Sequence, residues 1–121
     1  MRTLTVASIS ILVISITSGA AKDIGIFMGV GAGSCAEFAE KYRSSPMPTE
    51  LVYFSWAQGF MSAWNLGRFA GKQPTRDLNA WQVGDQQIIL RKFCNDKPLA
   101  TFIEAVENLY SSLPEIPPQS N

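Results

Sequence analysis

The sequence contains no histidine, only two cysteines, and fewer charged residues than an average soluble protein, 17% against about 25%. Without histidine the chain lacks the commonest general base and the commonest metal ligand. Its acids and bases balance to a formal net charge of +0, which argues against a nucleic-acid surface, because such a surface needs a basic stripe. Since 46% of the 121 residues are hydrophobic, the chain can still build one small core. These features predict a single domain that is not an enzyme, with no cofactor and no metal site.

Residues 1–20 have the order of a secretory signal peptide. A short positive start precedes Val6 to Ile16, which carries no charge, and a run of small residues follows. The apolar stretch is about half of the ~20 residues that span a bilayer, which argues against a membrane anchor. Ser18 and Ala20 suit the positions before a cut, so cleavage is expected after Ala20, with Ala21 as the alternative. The mature protein is expected to be periplasmic or secreted, with no membrane contact after cleavage.

Export would place Cys35 and Cys94 in an oxidising compartment, where an even number of cysteines indicates disulfides. Two cysteines allow one intramolecular pairing, and neither a CxxC spacing nor further ligands suggest a redox or metal pair. The bond would close a loop of about 60 residues, for which the chain-entropy estimate is ~4 kcal/mol. That is comparable with the whole stability of a small domain, so a structural disulfide is expected.

Hydrophobic periodicity predicts a helical domain over residues 34–113. In residues 21–33 glycines alternate with small residues, which predicts a flexible leader. Ser34-x-x-Glu37 is a capping box that begins the first helix. The prolines at 46 and 48 are expected to end that helix, because proline cannot continue it.

The second helix is expected from Thr49 to about Phe69. Apolar residues lie on more than one of its sides, which is typical of a helix buried in the centre of a domain. Gly59 in its middle is either the point where a neighbouring helix approaches closely or a tolerated defect. Residues 70–84 form a long irregular stretch, whose Trp81 either covers the core or is exposed for a partner.

Asp85 is expected to cap the third helix, which ends at about Asn95. Pro98 suits the first turn of a fourth helix whose apolar face runs to Leu113. Residues 114–121 are expected to form a disordered tail. The predicted fold class is therefore all-α, a small four-helix domain with one inter-helix disulfide.

Aromatic side chains are the main material left for a function. Most must lie in the core, and any surplus would favour a protein-binding surface. The carboxylate pairs Glu37/Glu40 and Glu104/Glu107 are expected on solvated helix faces rather than in acid–base catalysis. The residues that belong either to the core or to a surface for clients or a partner are Trp56, Gly59, Phe60, Trp64, Trp81 and Phe102.

The order of these features resembles the HdeA/HdeB family of small periplasmic acid-stress chaperones. The resemblance spans about residues 34–113 and rests on the export signal, Ser34-Cys35-x-x-Phe38, Gly59-Phe60, Cys94 and Phe102-x-Glu104-x-Val106. It implies an all-helical fold with a Cys35–Cys94 disulfide and a folded dimer at neutral pH. It also implies that acid loosens the protein and exposes apolar surface, which then binds unfolding client proteins.

The formal charge of the mature chain bears on the expected response to acid. Removing residues 1–20 takes away one base, Arg2, which leaves nine bases against ten acids. The mature charge would therefore change from about −1 to about +9 in strong acid.

A second resemblance rests on the sequence Trp56-Ala57-Gln58-Gly59-Phe60. It is similar to the helical, disulfide-bonded immunity proteins that neutralise type VI secretion effectors. That resemblance implies a protein that blocks one effector with a fixed surface, and it is the alternative to a chaperone.

Overall fold

The fold is described here from a computed structural model, which covers residues 25–119. The expected signal peptide, with its cleavage after Ala20 or Ala21, lies outside the described residues. The helices are α1 Cys35–Ser44, α2 Pro46–Ala70, α3 Val83–Asp96 and α4 Phe102–Ser112, preceded by a 3-10 helix, Gly29–Ala32. Two short strands, β1 Thr75–Arg76 and β2 Glu115–Ile116, pair antiparallel. The predicted all-α class with four helices is confirmed. None of the helices within residues 25–119 is long and apolar enough to cross a membrane.

The core forms where α4 lies against the other three helices. Phe102, Val106 and Leu109, spaced three or four residues apart on one side of α4, are fully buried, as the periodicity predicts. The Phe102 ring lies 5.1 Å from that of Phe38 in α1 and 4.8 Å from that of Tyr53 in α2, measured between centroids. These rings meet at tilted and edge-on angles, the arrangement that aromatic pairs prefer.

The disulfide joins α1 to α3. Cys35, the first residue of α1, is bonded to Cys94 near the end of α3, and both side chains are buried in the core. The predicted Cys35–Cys94 bond between two helices is confirmed.

The fourth helix begins at Phe102, so the predicted first turn at Pro98 is wrong. The reason lies at the other end of the chain. Backbone N–H groups of Cys35 and Ala36 donate to the carbonyls of Ala100 and Pro98, at 2.8 and 3.0 Å. Because these carbonyls satisfy the free donors of the first turn of α1, residues 98–100 are held outside any helix.

The junction of α1 and α2 is shorter than predicted. α1 ends at Ser44 as expected, but α2 begins at Pro46 instead of Thr49. Proline is well suited to the first turn of a helix, where its missing N–H has no partner to lose. The two prolines therefore begin α2 instead of forming a linker. Ser34 caps α1 by accepting a hydrogen bond from the Glu37 backbone N–H at 3.1 Å, whereas the Glu37 carboxylate pairs with Lys41.

Part of the predicted flexible leader, residues 21–33, has regular structure. Gly29–Ala32 form a 3-10 helix against the indole of Trp56, whose Nε1 donates to the Met28 carbonyl at 2.9 Å. A β-carbon added at Gly31 would lie 2.0 Å from the indole, so only glycine lets the backbone approach this closely. The glycines that predicted a flexible leader instead allow residues 29–32 to pack against the indole.

Part of the predicted disordered tail, residues 114–121, also has regular structure, because Glu115–Ile116 form β2. Glu115 pairs with Arg76 across the two-stranded sheet, and Arg76 Nη1 donates to the Leu113 carbonyl at 3.0 Å. Asn65 fixes the other side of this strand, because its amide bonds both the N–H and the carbonyl of Arg76, at 2.9 and 2.8 Å. The C-terminal segment and the α2–α3 connection are therefore joined by strand pairing and polar contacts. Such contacts leave no hydrophobic pattern in the sequence.

The α2–α3 connection is fixed by a buried glutamine. Gln86 Nε2 donates to the carbonyls of Leu78 and Trp81, both at 3.0 Å. α3 begins at Val83 with Gln82 at its N-cap, so Asp85 lies in the first turn and is not the predicted cap. Trp81 is half-buried and packs against the core, as the covering alternative describes.

Reduction of the disulfide is expected to lower the free energy of unfolding by about 2–4 kcal/mol, because the bond removes the freedom of a long unfolded loop. Urea unfolding of the oxidised protein, with and without reductant, measures the difference. Cys35→Ala/Cys94→Ala protein should match the reduced wild type. Equal midpoints for the oxidised and reduced forms would contradict a stabilising bond.

Two glycine substitutions are expected to have opposite effects. Gly31→Ala forces a methyl group into the Trp56 indole and should cost about 1–3 kcal/mol, with a shift in tryptophan emission. Gly59→Ala meets nothing within 4 Å and should stabilise α2 by up to about 1 kcal/mol. Urea titration followed by fluorescence compares them, and a stable Gly31→Ala protein with unchanged emission would refute the close contact.

Candidate functional site

The candidate site is the side of α2 that no other helix of residues 25–119 covers. We call it the outer face of α2, made of the exposed side chains of Met47, Leu51, Val52, Ser55, Gln58, Gly59, Ser62, Ala63, Leu66, Gly67, Phe69 and Ala70. At 100° per residue these positions occupy about half of the helix circumference. The expectation that α2 is buried on several sides is therefore wrong. Leu51 and Leu66 are each 70% exposed, and Phe69 is 63% exposed.

The outer face carries no charged side chain. α2 has two charged residues, Glu50 and Arg68, and both lie on its inner side. Glu50 is ion-paired with Arg91 of α3, and Arg68 Nε donates to the Pro74 carbonyl at 2.5 Å. A 25-residue helix thus presents only apolar, small and amide side chains along a length of about 37 Å.

The middle of the face is lined by small residues. Ser55, Gly59 and Ala63 follow one another at intervals of four, with large apolar side chains towards both ends of the helix. Apart from its chain neighbours and the backbone of its own helix, no atom of residues 25–119 lies within 4 Å of a β-carbon placed on Gly59. The alternative in which Gly59 accommodates a neighbouring helix of the same domain is therefore wrong.

An aromatic ladder lies along the inner edge of the face. Trp56 stacks on Phe60 with centroids 5.3 Å apart and planes 8° apart, and Trp64 stacks on Tyr110 of α4 at 4.5 Å and 7°. Phe60 meets Trp64 edge-on at 5.6 Å. The Tyr110 hydroxyl donates to Asn65 Oδ1 at 2.7 Å, and burial raises the pKa of that hydroxyl, which keeps it protonated. The three rings of α2 are half-buried and held on both sides.

The six aromatic and glycine candidates lie in four different places. Phe102 is fully buried in the core, and Gly59 lies exposed on the outer face. Trp56, Phe60 and Trp64 form the ladder, and Trp81 lies apart from them on the α2–α3 connection. The structure therefore brings four of the six candidates together along one helix.

Both carboxylate pairs lie on exposed helix faces, as predicted. Glu104 has a structural role: its Oε2 accepts hydrogen bonds from the backbone N–H and the hydroxyl of Thr101, at 2.6 and 2.8 Å. These bonds hold the pKa of the Glu104 carboxyl below its ordinary value. Within residues 25–119, no group of three or more acidic or cysteine side chains is placed to hold a metal ion.

Several residues with important contacts were missed in the sequence. Thr101-x-x-Glu104 has the same spacing as Ser34-x-x-Glu37 and marks the true start of α4. Asn65 and Gln86 left no signal, because a buried amide and an exposed one look alike in a sequence.

Compared with models of protein families, with curated proteins and with solved structures, the chain shows no match.

Removing the charge of Glu104 is expected to flatten the pH dependence of stability in acid. Since the pKa of Glu104 is held below 4.5, the ionised carboxylate stabilises the fold above that pH, and this contribution is lost as the pH falls through the lowered pKa. Glu104→Gln does not titrate and should lose less stability on acidification than the wild type.

The matched control is Glu107→Gln, one turn along α4, which removes the same charge from an exposed side chain. Urea unfolding midpoints measured between neutral pH and about pH 3 test the comparison. The same slope in both variants would show that the Thr101–Glu104 cap does not sense acid.

Proposed function

We propose that this protein is an exported acid-stress chaperone, similar to the HdeA/HdeB family, that holds unfolding client proteins on the outer face of α2. The observation that carries the proposal is the face itself: one side of a 25-residue helix, mostly apolar and without charge, with no covering element in the described chain. Exposed apolar patches of this kind mark interaction sites. The proposed location is the periplasm or the cell exterior.

The chemistry of the face suits unfolded polypeptides better than one shaped ligand. Met47, Leu51, Leu66 and Phe69 are unbranched at the β-carbon and adjust their conformation readily, which favours binding of varied apolar segments. The small residues between them leave a shallow track along which a client backbone can approach. The proposed partner is therefore an apolar segment of an unfolded protein, and a second copy of this chain is the competing occupant.

Acid favours this function through charge. At low pH the mature chain and its clients all become positive, and like charges then oppose association. The outer face has neither bases nor carboxylates, so its own charge does not change on acidification. Clients can approach it with less repulsion than they meet at the charged helices.

Two ionic contacts join packed elements of the domain. The Glu50–Arg91 pair joins α2 to α3, and the Glu115–Arg76 pair joins the two strands. Loss of either contact would leave a positive charge without its partner, at a partly buried position in the case of Arg91. The disulfide continues to hold α1 and α3 together, so loosening would affect α2 and the α2–α3 connection first.

The immunity-protein alternative has one observation in its favour. The rings of Trp56, Phe60 and Trp64 are locked by stacking, and rigid aromatic side chains are the usual anchors of a tight interface. A dedicated inhibitor would bind one effector at neutral pH with no need for acid. The pH dependence of binding therefore separates the two functions.

The test is suppression of client aggregation at about pH 2.5 and about pH 7 by the oxidised mature protein. Ser62→Lys places a charge that acid does not remove in the middle of the outer face. Because an unpaired charge is costly to bury against an apolar client, about tenfold more variant should be needed for equal suppression in acid.

Ser111→Lys is the matched control, since it makes the same substitution at an exposed helical serine on α4. It should suppress aggregation as well as the wild type. Equal activity of Ser62→Lys and Ser111→Lys would rule out the outer face as the client site. Absence of suppression by the wild type at both pH values, together with capture of one partner at neutral pH, would favour the immunity function.

A further inference from the structure

A second concave site lies between α1 and α3, on residues that the proposed client surface does not use. It is a groove of about 380 Å³ lined by Phe38, Ala39, Tyr42, Arg43, Arg91 and Asn95. That volume is within the range of small-molecule sites. The groove adjoins the disulfide, because Cys94 directly precedes Asn95 and Phe38 is one turn from Cys35.

The groove combines aromatic and hydrogen-bonding side chains. Its aromatic part is formed by the rings of Phe38 and Tyr42 of α1, whose centroids are 6.1 Å apart. The lining also includes the guanidinium groups of Arg43 of α1 and Arg91 of α3, and the side-chain amide of Asn95 of α3. Aromatic rings beside three groups that can donate hydrogen bonds are the kind of lining that orients an amphipathic ligand.

Arg91 is held in place by two contacts. Its Nη1 donates to Glu50 Oε1, and its guanidinium carbon lies 5.2 Å from the centre of the Tyr42 ring. Within residues 25–119, Glu50 is the one acceptor bonded to Arg91, so Nε and Nη2 keep unused donors. A half-buried arginine fixed in this way loses little freedom when it binds a further anion.

Arg43 supplies the unbalanced charge. It lies in the last turn of α1 and forms no ion pair with any residue between 25 and 119. Two guanidinium groups against the single carboxylate of Glu50 leave about one positive charge at the groove. A site with that excess matches a monoanion better than a dianion such as phosphate, which would also have to leave water beside an aromatic wall.

From this arrangement we infer that the groove binds a small apolar carboxylate. The carboxylate lies against Arg43, Asn95 and the free edge of Arg91, and its hydrocarbon part packs on Phe38 and Tyr42. Two sources offer this chemistry: a free carboxylic acid, or the C-terminal carboxylate of a polypeptide that ends in an apolar residue. The inference concerns α1 and α3 and does not depend on the function proposed for α2.

The test is an NMR titration of the oxidised protein with N-acetyl-leucine, followed through backbone amides and the arginine Nε–H groups. Saturable shifts are expected at Tyr42, Arg43, Arg91 and Asn95. N-acetyl-leucinamide, which lacks the charge, and inorganic phosphate, which lacks the apolar part, should both fail to produce them. Absence of saturable shifts with N-acetyl-leucine, or equal binding of phosphate, overturns the inference.

Variants separate a built site from general attraction of anions. Arg43→Gln should weaken binding about tenfold, the loss expected for one charge-assisted contact. Arg43→Lys keeps the charge but loses the planar fork, so it should bind between Arg43→Gln and wild type. Lys92→Gln removes one positive charge from the exposed side of α3 and should bind as the wild type does. If Lys92→Gln and Arg43→Gln weaken ligand binding equally, the effect comes from net charge alone and the proposed carboxylate site is overturned.

A pair of N-acetylated peptides ending in leucine identifies the source. If the peptide with a free C-terminus binds at least as tightly as N-acetyl-leucine and its amidated twin does not bind, the ligand is the end of a polypeptide. If neither peptide binds while N-acetyl-leucine does, the ligand is a free carboxylic acid. Either result supports the carboxylate site, whereas equal binding of the free and amidated peptides overturns it.

Discussion

The contact between the start of α1 and residues 94–102 organises the rest of the domain. The Cys35–Cys94 bond joins α1 to α3. Next to it, the first N–H groups of α1 donate hydrogen bonds to the carbonyls of Pro98 and Ala100. The Phe102 N–H donates to the Gly33 carbonyl at 2.8 Å, so the first residue of α4 is held by the same stretch of chain. One small region thus fixes where α1 begins, where α3 ends and where α4 begins. α2 is tied in separately, through Thr49 Oγ1 to the Lys41 carbonyl and through the ring contacts of Tyr53.

Separate attachment explains how α2 can leave one side uncovered. Its inner side meets α1, α4 and the 3-10 helix, which satisfies the buried aromatic residues. Nothing in the described chain is left to cover the other side, and the sequence places serine, alanine and glycine there in place of the charges usual on a solvated helix. Among residues 25–119, every charged side chain except Glu50 and Arg68 lies outside α2, and several of them form ion pairs. The uncharged outer face of α2 is consequently separate from most of the ionic surface.

Features set by neighbours in sequence were predictable, and features set by distant residues were not. The 3.6-residue period gave the apolar side of α4, and the cysteine count gave the disulfide pairing. The start of α4 could not be predicted from Pro98, because backbone donors of α1 decide it across more than 60 residues. The pattern of α2 predicts burial on several sides, since apolar side chains on a binding surface and in a core look the same in sequence. The close contact between Gly31 and Trp56 could not be predicted, because the indole lies 25 positions further along the chain. The groove between α1 and α3 left no motif, because Arg43 and Arg91 become neighbours only when the helices pack.

The sheet and the turn at residues 98–100 also impose an order on synthesis. Ribosomes make the chain from the N-terminus, yet α1 finds the acceptors for its first turn only when Ala100 has been made, and β1 finds its partner only at Ile116. These contacts therefore cannot form until residues 98–116 have been made. Contacts so distant in sequence slow folding and lengthen the exposure of apolar segments. Such a chain completes its fold only late in its own synthesis.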